Sequence, residues 1–324
     1  MKVLVTGAAG FIGYHVSRRL AETKRCEVLG VDHLSDYYDV ALKRARLGEL
    51  AALEKFHFLQ SDFADAENFS ALTARFKPDY VVHLGAQPGV RYSLENPAAY
   101  THSNLVGFAS VLEACRRTPP KHLVYASSSS VYGAGATAPF REDADTDQPT
   151  SFYGATKKAN ELLAHSYART HGLNVTGLRF FTVYGPWGRP DMALFLFAEA
   201  MLKDEPINVF NHGKMIRDFT YVDDIVESIT RLIPRPAPKN RDDVPCQVFN
   251  IGNSAPVQLM AYIEALEKAL GKTAKKNFMD IQAGDVPATH ADVSKLEAYV
   301  HFRPQTSVEE GVQRFVDWYL KSKA

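Results

Sequence analysis

The chain is poor in the features that mark several classes of protein. Its 324 residues include three cysteines, Cys26, Cys115 and Cys246, and no Cys-x-x-Cys pair. This scarcity argues against a disulfide framework or a structural zinc site, and it fits a reducing compartment, so we expect a cytoplasmic protein. The 11 histidines never show the His-x-x-x-His spacing of a helical metal site. We therefore predict no bound metal.

An excess of one charge and a long apolar run are also missing. Lys+Arg and Asp+Glu both number 37, so the formal net charge is zero with neutral histidine. Proteins that bind nucleic acids usually carry a basic excess, and we expect no such partner here. No run of 18 apolar residues occurs, and glycines interrupt the apolar start too early for a secretory signal. We expect no membrane association.

Short Val- and Leu-rich runs alternate with helical stretches in the first half of the chain. This alternation is typical of a parallel sheet with helices on both faces. We predict an α/β fold with a Rossmann-type doubly wound parallel sheet. The predicted strands lie near residues 3–5, 28–31, 57–60, 80–84 and 123–126, with possible additions at 175–181 and 248–251; the predicted helices lie near 11–20, 41–54, 66–75, 96–117 and 151–171.

The pattern changes after residue 180. Ten of the 17 prolines follow that position and break the chain into short elements. We expect a smaller, loop-rich C-terminal substrate lobe. The predicted boundaries give a dinucleotide-binding domain of residues 1–178 plus about 221–251, and a substrate lobe of about 179–220 plus 252–324.

A glycine-rich turn follows the first predicted strand. Gly7, Gly10 and Gly13 form a G-x-x-G-x-x-G motif that also contains Phe11 and Ile12. Glycine allows the backbone to approach a pyrophosphate closely, and the following helix presents free N–H groups to it. A tight turn alone would also use glycine, but the position in the first strand–helix turn favours dinucleotide binding.

Polar residues also follow the next predicted strands. Asp32 closes the second strand, where a carboxylate can accept both ribose hydroxyls and repel a 2′-phosphate, so NAD is favoured over NADP. A helix-capping or turn Asp is the other interpretation. Asp62 ends the third strand, where an adenine contact is plausible. Gly85, Ala86 and Gln87 end the fourth, at the edge where ligands of such sheets bind.

Tyr153 and Lys157 are the candidate reacting groups. They lie four residues apart, which places them on one face of a helix. A nearby ammonium is expected to lower the pKa of the phenol, which can then act as a general base. Tyr319 and Lys323 share the spacing, so the spacing alone is not specific. Four serines at residues 127–130 follow the fifth strand and offer a hydroxyl to the same substrate oxygen; a polar loop is the alternative.

Several longer passages resemble the extended short-chain dehydrogenase/reductase family, and within it the UDP-glucuronate 4-epimerases. They are VDHLSDYYDVALKRARL (31–47), GVRYSLENP (89–97), ASSSSVYG (126–133), SFYGATKKANE (151–161), LRFFTVYGPWGRPDM (178–192) and RDFTYVDDI (217–225). The resemblance implies NAD as the cofactor, a UDP-sugar as the substrate, and a homodimer joined through the helices near 96–117 and 151–171. It also implies an Asn104 contact to the cofactor.

The resemblance further implies a mechanism. Tyr153 takes the proton from the sugar 4-hydroxyl while hydride passes to NAD, and the transient 4-keto sugar turns before hydride returns to its other face. The Ser/Thr-x-x-Val-Tyr-Gly pattern implies that Ser128 is the assisting hydroxyl. Lys157 tunes Tyr153 and binds the nicotinamide ribose.

The same resemblance assigns the substrate contacts. Ser129, Ser130 and Thr182 are expected to hold the sugar carboxylate, with Arg91 as a further charge partner or an ordinary surface residue. Arg217 and Arg189 are expected near the diphosphate, and Asp285 near the uridine ribose. The chain departs from neutral-hexose epimerases at Gln282, because those enzymes tend to carry an arginine at this position.

Three alternatives to a UDP-glucuronate 4-epimerase stay open. The first is a UDP-glucuronate decarboxylase, although related decarboxylases usually carry an acidic residue in the segment where this chain has Ser129 and Ser130. Related 4,6-dehydratases carry an Asp-Glu pair directly after the assisting hydroxyl, at the same two positions. A 4-epimerase of a neutral or N-acetylated UDP-hexose would use the same chemistry. A non-catalytic NAD-binding regulator would not need Tyr153, Lys157 and Ser128 together.

Overall fold

A computed structural model describes residues 1–135, 137–240, 242–282 and 284–323. The strands are Lys2–Thr6 (β1), Glu27–Asp32 (β2), Phe56–Gln60 (β3), Tyr80–His83 (β4), His122–Ser128 (β5), Val175–Phe180 (β6), Thr182–Tyr184 (β7), Ile207–Val209 (β8), Ile216–Tyr221 (β9), Cys246–Ile251 (β10), Pro256–Gln258 (β11) and Lys276–Phe278 (β12).

The helices cover both faces of the largest sheet and much of the C-terminal half. They are Phe11–Glu22 (α1), Val40–Ala51 (α2), Ala66–Phe76 (α3), Tyr92–Glu95 (α4), Pro97–Tyr100 (α5), Gly107–Arg117 (α6), Phe152–His171 (α7), Ala193–Leu202 (α8), Val222–Leu232 (α9), Leu259–Leu270 (α10), Ser294–Val300 (α11) and Val308–Lys323 (α12). A π-helical turn, Thr101–Val106, joins α5 to α6. None of the described helices is long and apolar enough to cross a membrane.

The main sheet has seven strands in the order β10-β6-β5-β4-β1-β2-β3. All its neighbouring strands pair in parallel. The chain moves outward from β1 through β2 to β3 and then crosses to β4 on the other side of β1. This reversal creates a crevice outside the carboxyl ends of β1 and β4, which is where ligands bind in sheets of this kind.

The second half of the chain adds two small sheets. One has the order β11-β9-β7, and the other pairs β12 with β8. The second half also contacts the first half of the chain directly. Helix α9 packs against α1, and β10 joins the main sheet by pairing with β6. One apolar core runs from Val3 in β1 to Tyr319 in α12, so the small sheets pack on the same core as the large one.

The structure confirms the predicted α/β, Rossmann-type sheet and differs in detail. The first helix buries Phe11, Val16 and Leu20, whereas Ile12 beside them is half-buried. The single helix predicted near 96–117 is three consecutive helical segments, because the π-helical turn Thr101–Val106 separates α5, which begins at Pro97, from α6. The loop near 234–245, in the proline-rich part of the chain, buries Ala237 and Val244.

Candidate active site

A cavity of about 630 Å³ opens at the reversal of strand order. Its walls come from the ends of β1, β2, β4, β5 and β6, from the start of α7, and from β7, β9 and the segment around residues 189–193. The volume lies within the usual range for ligand sites. The cavity therefore joins the carboxyl edge of the main sheet to the small sheets in one continuous site.

The glycine turn forms the end of the cavity next to β1. Gly7 has a φ of +71°, and a Cβ there would lie 2.7 Å from the Gly85 nitrogen. A Cβ on Gly13 would lie 2.0 Å from the Gly7 carbonyl oxygen, so α1 can begin against the turn only with glycine at this position. Gly10 precedes α1 without a side-chain cap, which leaves its first N–H groups available to an anion.

Asp32 is held rigidly at the end of β2. One carboxylate oxygen accepts a hydrogen bond from the Ala9 N–H at 3.1 Å, and the other accepts one from the Leu34 N–H at 2.8 Å. The carboxylate is buried and borders the cavity beside the glycine turn. Its placement combines a turn-stabilising role with a position suited to ribose hydroxyls.

Tyr153 and Lys157 lie in the first two turns of α7. The helix begins at a serine cap, because the Ser151 hydroxyl accepts a hydrogen bond from the Gly154 N–H at 3.0 Å. A Cβ on Gly154 would lie 2.6 Å from the Ser130 carbonyl oxygen. Glycine at this position therefore lets α7 approach the serine turn, and it brings Tyr153 and the serine hydroxyls to one wall of the cavity.

The pKa values of the pair depart from the sequence-based expectation. Burial raises the pKa of Tyr153, while the Ser128 hydroxyl and the positive charge of Arg189 act in the opposite direction. Burial lowers the pKa of Lys157 to about 8, and its ammonium donates a hydrogen bond to the Ala126 carbonyl at 2.9 Å. The lowered phenol pKa that the sequence predicts is therefore not found in the polypeptide alone, because desolvation outweighs the nearby charges.

The serines after β5 form a tight turn against Tyr153. Ser128 ends the strand, and its hydroxyl accepts a hydrogen bond from the Ser130 N–H and donates one to the Ser130 hydroxyl, each at 3.2 Å. Ser129 begins the short helical turn that follows. Thr182, at the start of β7, borders the same cavity. Four hydroxyls are thus available to a polar group of a ligand.

Arg189 is fixed on the cavity wall by an acidic partner. Its guanidinium donates two hydrogen bonds to the Asp191 carboxylate, at 2.9 and 2.5 Å. The Tyr37 hydroxyl donates a third hydrogen bond to Asp191 at 3.1 Å. Asp191 therefore orients Arg189 toward the cavity and compensates part of its charge.

Arg217, Asp285 and Arg91 lie toward the small sheets. Arg217 donates a hydrogen bond to the Asp285 carboxylate at 3.1 Å, and burial lowers the pKa of this guanidinium. Arg91 is exposed at the cavity rim, and its guanidinium lies 5.3 Å from the centre of the Phe210 ring. Two of the three thus already contact each other within the site.

Most of the residues that the sequence singled out line this cavity. They are Gly7, Gly10, Phe11, Ile12, Gly13, Asp32, Gly85, Ala86, Arg91, Ser128, Ser129, Ser130, Tyr153, Lys157, Thr182, Arg189, Arg217 and Asp285.

Asp62, Gln87 and Asn104 lie outside the cavity lining. The Asp62 carboxylate pairs with the His102 ring at 2.8 Å. The Asn104 side chain accepts a hydrogen bond from the Gln87 N–H at 2.8 Å and donates one to the Thr156 hydroxyl at 3.1 Å. These contacts give Asn104 a supporting position between the β4 loop and α7; direct cofactor contacts of the three residues stay predictions.

Other lining residues were not singled out from the sequence. Tyr37 and Lys43 belong to the passage 31–47, and Asp191 follows Arg189 by two residues. Their proximity to motif residues was a signal that could have found them. Asn208, Phe210 and Met215 line the end near the small sheets, and they follow no local pattern in the sequence.

The site has the features of a dinucleotide site. The turn approaches β4 so closely that only glycine fits, the start of α1 faces the cavity, and a buried carboxylate closes β2. A family model described as the NAD dependent epimerase/dehydratase family matches residues 3–252. The chain belongs to that family, and its cofactor is NAD.

The similarity to known proteins extends over almost the whole chain. Protein CapI of Staphylococcus aureus is 50% identical, with 99% of each chain covered. A probable UDP-glucuronate 4-epimerase of Rhizobium meliloti is 47% identical over 98% of this chain and 97% of the relative. The crystal structure of a Bacillus cereus UDP-glucuronic acid 4-epimerase with UDP-glucuronic acid and NAD is 35% identical, with a TM-score of 0.91, covering 99% of this chain and all of that one.

Proposed function

We propose that the protein is an NAD-dependent 4-epimerase that interconverts UDP-glucuronate and UDP-galacturonate through a transient 4-keto sugar. The observation that carries this proposal is the meeting of Tyr153 and Lys157 with the hydroxyls of Ser128–Ser130 on one cavity wall. The relatives named for this activity support it, as does the Bacillus cereus protein described with UDP-glucuronic acid and NAD.

Tyr153 is the proposed general base for the sugar 4-hydroxyl, and Ser128 is the hydroxyl that hydrogen-bonds the same oxygen. When bound, NAD supplies the hydride acceptor and donor for C4. Lys157 places a positive charge within 5.9 Å of the centre of the Tyr153 ring, where it opposes the effect of burial once a phenolate forms. The base therefore works in a site that concentrates cations around it.

Retention of the sugar carboxylate is the second requirement. A 4-keto uronate is a β-keto acid, and it loses CO2 when the C5–C6 bond aligns with the carbonyl π system. Ser129, Ser130 and Thr182 are proposed to hold the carboxylate out of that alignment. Neutral hydroxyls suit this task because they hold the carboxylate without supplying an acid that would protonate C5.

The absence of acidic side chains beside Ser128 weighs against elimination. Dehydratases and decarboxylases of the family are expected to place a carboxylate in this segment, where Ser129 and Ser130 stand. Asp191 borders the cavity, but its carboxylate is engaged by Arg189 and Tyr37. The described part of the site thus offers hydroxyls, rather than a free acid, next to the assisting serine.

The function is tested by incubating purified protein with UDP-glucuronate and no added NAD. Formation of UDP-galacturonate supports the proposal. UDP-pentose and CO2 as main products identify a decarboxylase. A parallel incubation with UDP-glucose separates a neutral-hexose epimerase, because faster turnover of UDP-glucose than of UDP-glucuronate contradicts the proposed carboxylate contacts.

A homodimer and a two-lobed division accompany this function. Leu94, Val106, Phe152 and Leu162 are exposed on the helical segments α4 to α6 and on α7, which pack side by side. We propose that these helices join two copies of the chain. We also propose that residues 1–178 plus about 221–251 form the NAD-binding domain, and that about 179–220 plus 252–324 form the nucleotide-sugar lobe. Sedimentation analysis of Leu162→Glu against the parent chain tests the dimer: a shift toward monomer supports it.

A cytoplasmic location is the matching proposal for the compartment. All three cysteines are free and buried, which suits a reducing environment. Fractionation of the native host, with the protein detected by antibody, tests this directly: recovery outside the cytoplasmic fraction contradicts it.

A further inference from the structure

Arg46 in α2 is a completely buried arginine that joins two parts of the site. Its relative exposure is 0%, and it is among the largest fully buried side chains. One terminal nitrogen donates hydrogen bonds to the Ala9 carbonyl and to the Tyr38 hydroxyl, each at 2.8 Å. Its other nitrogens bond the carbonyls of Trp187, at 3.0 and 2.7 Å, and of Gly188, at 2.9 Å.

The two sets of carbonyls belong to different ligand regions. Ala9 lies inside the glycine turn, between Gly7 and Gly10. Trp187 and Gly188 directly precede Arg189 in a segment far away in sequence, since Arg46 and Trp187 are separated by 141 positions. A single guanidinium therefore connects the cofactor turn to the segment that carries Arg189.

Within the described part of the chain, the charge of Arg46 has no salt-bridge partner. Its five hydrogen bonds go to neutral groups, namely the carbonyls of Ala9, Trp187 and Gly188 and the Tyr38 hydroxyl. An isolated buried cation is costly unless other groups compensate it. Carbonyl dipoles supply part of that compensation, and anions bound at the adjacent turn would supply more.

The surroundings of the 187–188 segment fit this role. Trp187 has a positive φ of 58°, and its ring packs against Tyr14 and Trp318 at 5.6 and 5.2 Å. The His15 ring contacts the Pro186 carbonyl at 2.9 Å. Aromatic packing thus fixes the outer side of the segment, while Arg46 fixes the backbone that faces the glycine turn.

We propose that Arg46 is a positioning residue that locks the glycine turn and the Arg189 segment into one unit, so that a buried cation supports the binding of both the dinucleotide pyrophosphate and the nucleotide-sugar diphosphate. This inference rests on the proposed function for the identity of the second ligand. It assigns Arg46 no contact with either ligand.

Arg46→Lys tests the proposal in the NAD-loaded protein. Lysine keeps the charge, but its single nitrogen cannot span the Ala9 and Trp187 carbonyls. We expect the KM for UDP-glucuronate and the Kd for UDP to rise at least about tenfold, the change that corresponds to one lost charge-assisted hydrogen bond. Bound NAD should be lost faster on dilution, while kcat of the molecules that keep NAD stays within about threefold, because Tyr153 and Lys157 are untouched.

Arg44→Lys is the matched control, since Arg44 is exposed on the same helix two residues earlier. It should leave UDP affinity and NAD retention unchanged. A merely structural role for Arg46 would lower the thermal midpoint and the active fraction without raising the Kd for UDP. Unchanged UDP affinity and NAD retention in folded Arg46→Lys would overturn the proposal.

Tyr38→Phe gives a second test if Arg46→Lys fails to fold. It removes one hydrogen-bond acceptor of Arg46 and keeps the ring, whose centre lies 5.6 Å from the guanidinium carbon. We expect a smaller rise of the Kd for UDP and a smaller acceleration of NAD loss than in Arg46→Lys. No change in either quantity contradicts the proposal. The binding readouts are independent of turnover: a parent protein that binds UDP and NAD but does not convert UDP-glucuronate refutes the proposed function alone.

Discussion

The phenol of Tyr153 is half-buried on the cavity wall, and its enclosure raises its pKa. Arg189 and Ser128 act against this effect, and so does any further positive charge that enters the site. A phenol in such a position stays neutral until its surroundings become more cationic. We therefore propose that Tyr153 acts as a base only when the site is filled, which would limit proton abstraction to the loaded protein.

Tyr153→Phe removes the proposed base and leaves the ring in place. We expect turnover of UDP-glucuronate to fall at least about 1,000-fold, within the range that a lost general base causes. NAD content should stay nearly unchanged, as measured in the supernatant of the denatured protein. Tyr319→Phe is the control, because Tyr319 and Lys323 share the four-residue spacing in α12, outside the cavity lining. Substantial turnover in Tyr153→Phe would show that another group takes the proton.

Lys157→Met tests the cost of burying an ammonium. The folded pKa of about 8 lies below the ordinary value of 10.5, so the folded state holds the charged form unfavourably. The penalty is fully present below pH 8 and disappears as pH rises toward 10.5, because the unfolded chain then binds more protons than the folded one.

We therefore expect Lys157→Met to abolish turnover while raising the free energy of unfolding of the NAD-free protein at pH 7. The expected gain is on the order of 2 to 3 kcal/mol, and it should shrink between pH 8 and 10. Urea denaturation of Lys157→Met and the parent chain at pH 7 and at pH 10 measures this gain. A gain that grows with pH would contradict the assigned direction of the Lys157 pKa.

At the scale of single elements, one helical glycine is required by close packing, and another only lowers the helix propensity of its segment. A Cβ on Gly13 in α1 would overlap the Gly7 carbonyl oxygen, whereas a Cβ on Gly48 in α2 would have no heavy atom within 4 Å. Gly13→Ala should therefore displace the glycine turn and abolish NAD binding. Gly48→Ala should bind NAD normally and gain about 0.5 to 1 kcal/mol of stability. NAD titration and thermal unfolding of both variants measure these effects.

A buried ion pair connects α7 to the strands behind the serine turn. The Glu161 carboxylate receives two hydrogen bonds from Arg179 in β6, at 2.9 and 2.8 Å, and one from the Ser127 hydroxyl at 2.6 Å. Both charged side chains are less than a tenth exposed. The pair thus fixes the position of α7 relative to the end of β5, and so the position of Tyr153 relative to Ser128.

Glu161→Gln should leave the Arg179 charge buried without its partner. We expect a loss of about 3 to 5 kcal/mol in the free energy of unfolding, the usual cost of breaking such a pair. The double variant Glu161→Met with Arg179→Met should be more stable than Glu161→Gln, because no charge then stays buried. Equal stability of Glu161→Gln and the parent chain would show that the pair does not support this part of the fold.

The sequence predicts the elements of the first half well because their pattern is local. Strands β1, β2, β4 and β5 each carry a buried apolar run, β3 buries Phe56, and α1, α3 and α7 fill the spaces between or after these strands. The three-residue strands of the small sheets are too short to show a period, and a π-helical turn carries no sequence signal of its own. Local pattern therefore finds the large sheet and misses the small ones.

Across the whole molecule, contacts between distant segments are what the sequence could not supply. The Tyr37 hydroxyl and Asp191 are 154 positions apart, and Arg46 reaches across 141 positions to Trp187. The glycine turn and the Tyr153–Lys157 pair were found because each lies within one local motif. The groups that orient Arg189 come from separate elements, and only the packed chain brings them together.

In the proposed reaction, hydrogen leaves C4 and returns to C4 of the same sugar, while the carboxyl carbon stays attached. The most direct measurement uses UDP-glucuronate with deuterium at C4, in ordinary water and without added NAD, followed by NMR of the products. If the hydride returns to the sugar that it left, the product is UDP-galacturonate that keeps its deuterium at C4. Replacement of that deuterium by solvent hydrogen, or release of CO2 with a UDP-pentose as the main product, would contradict it.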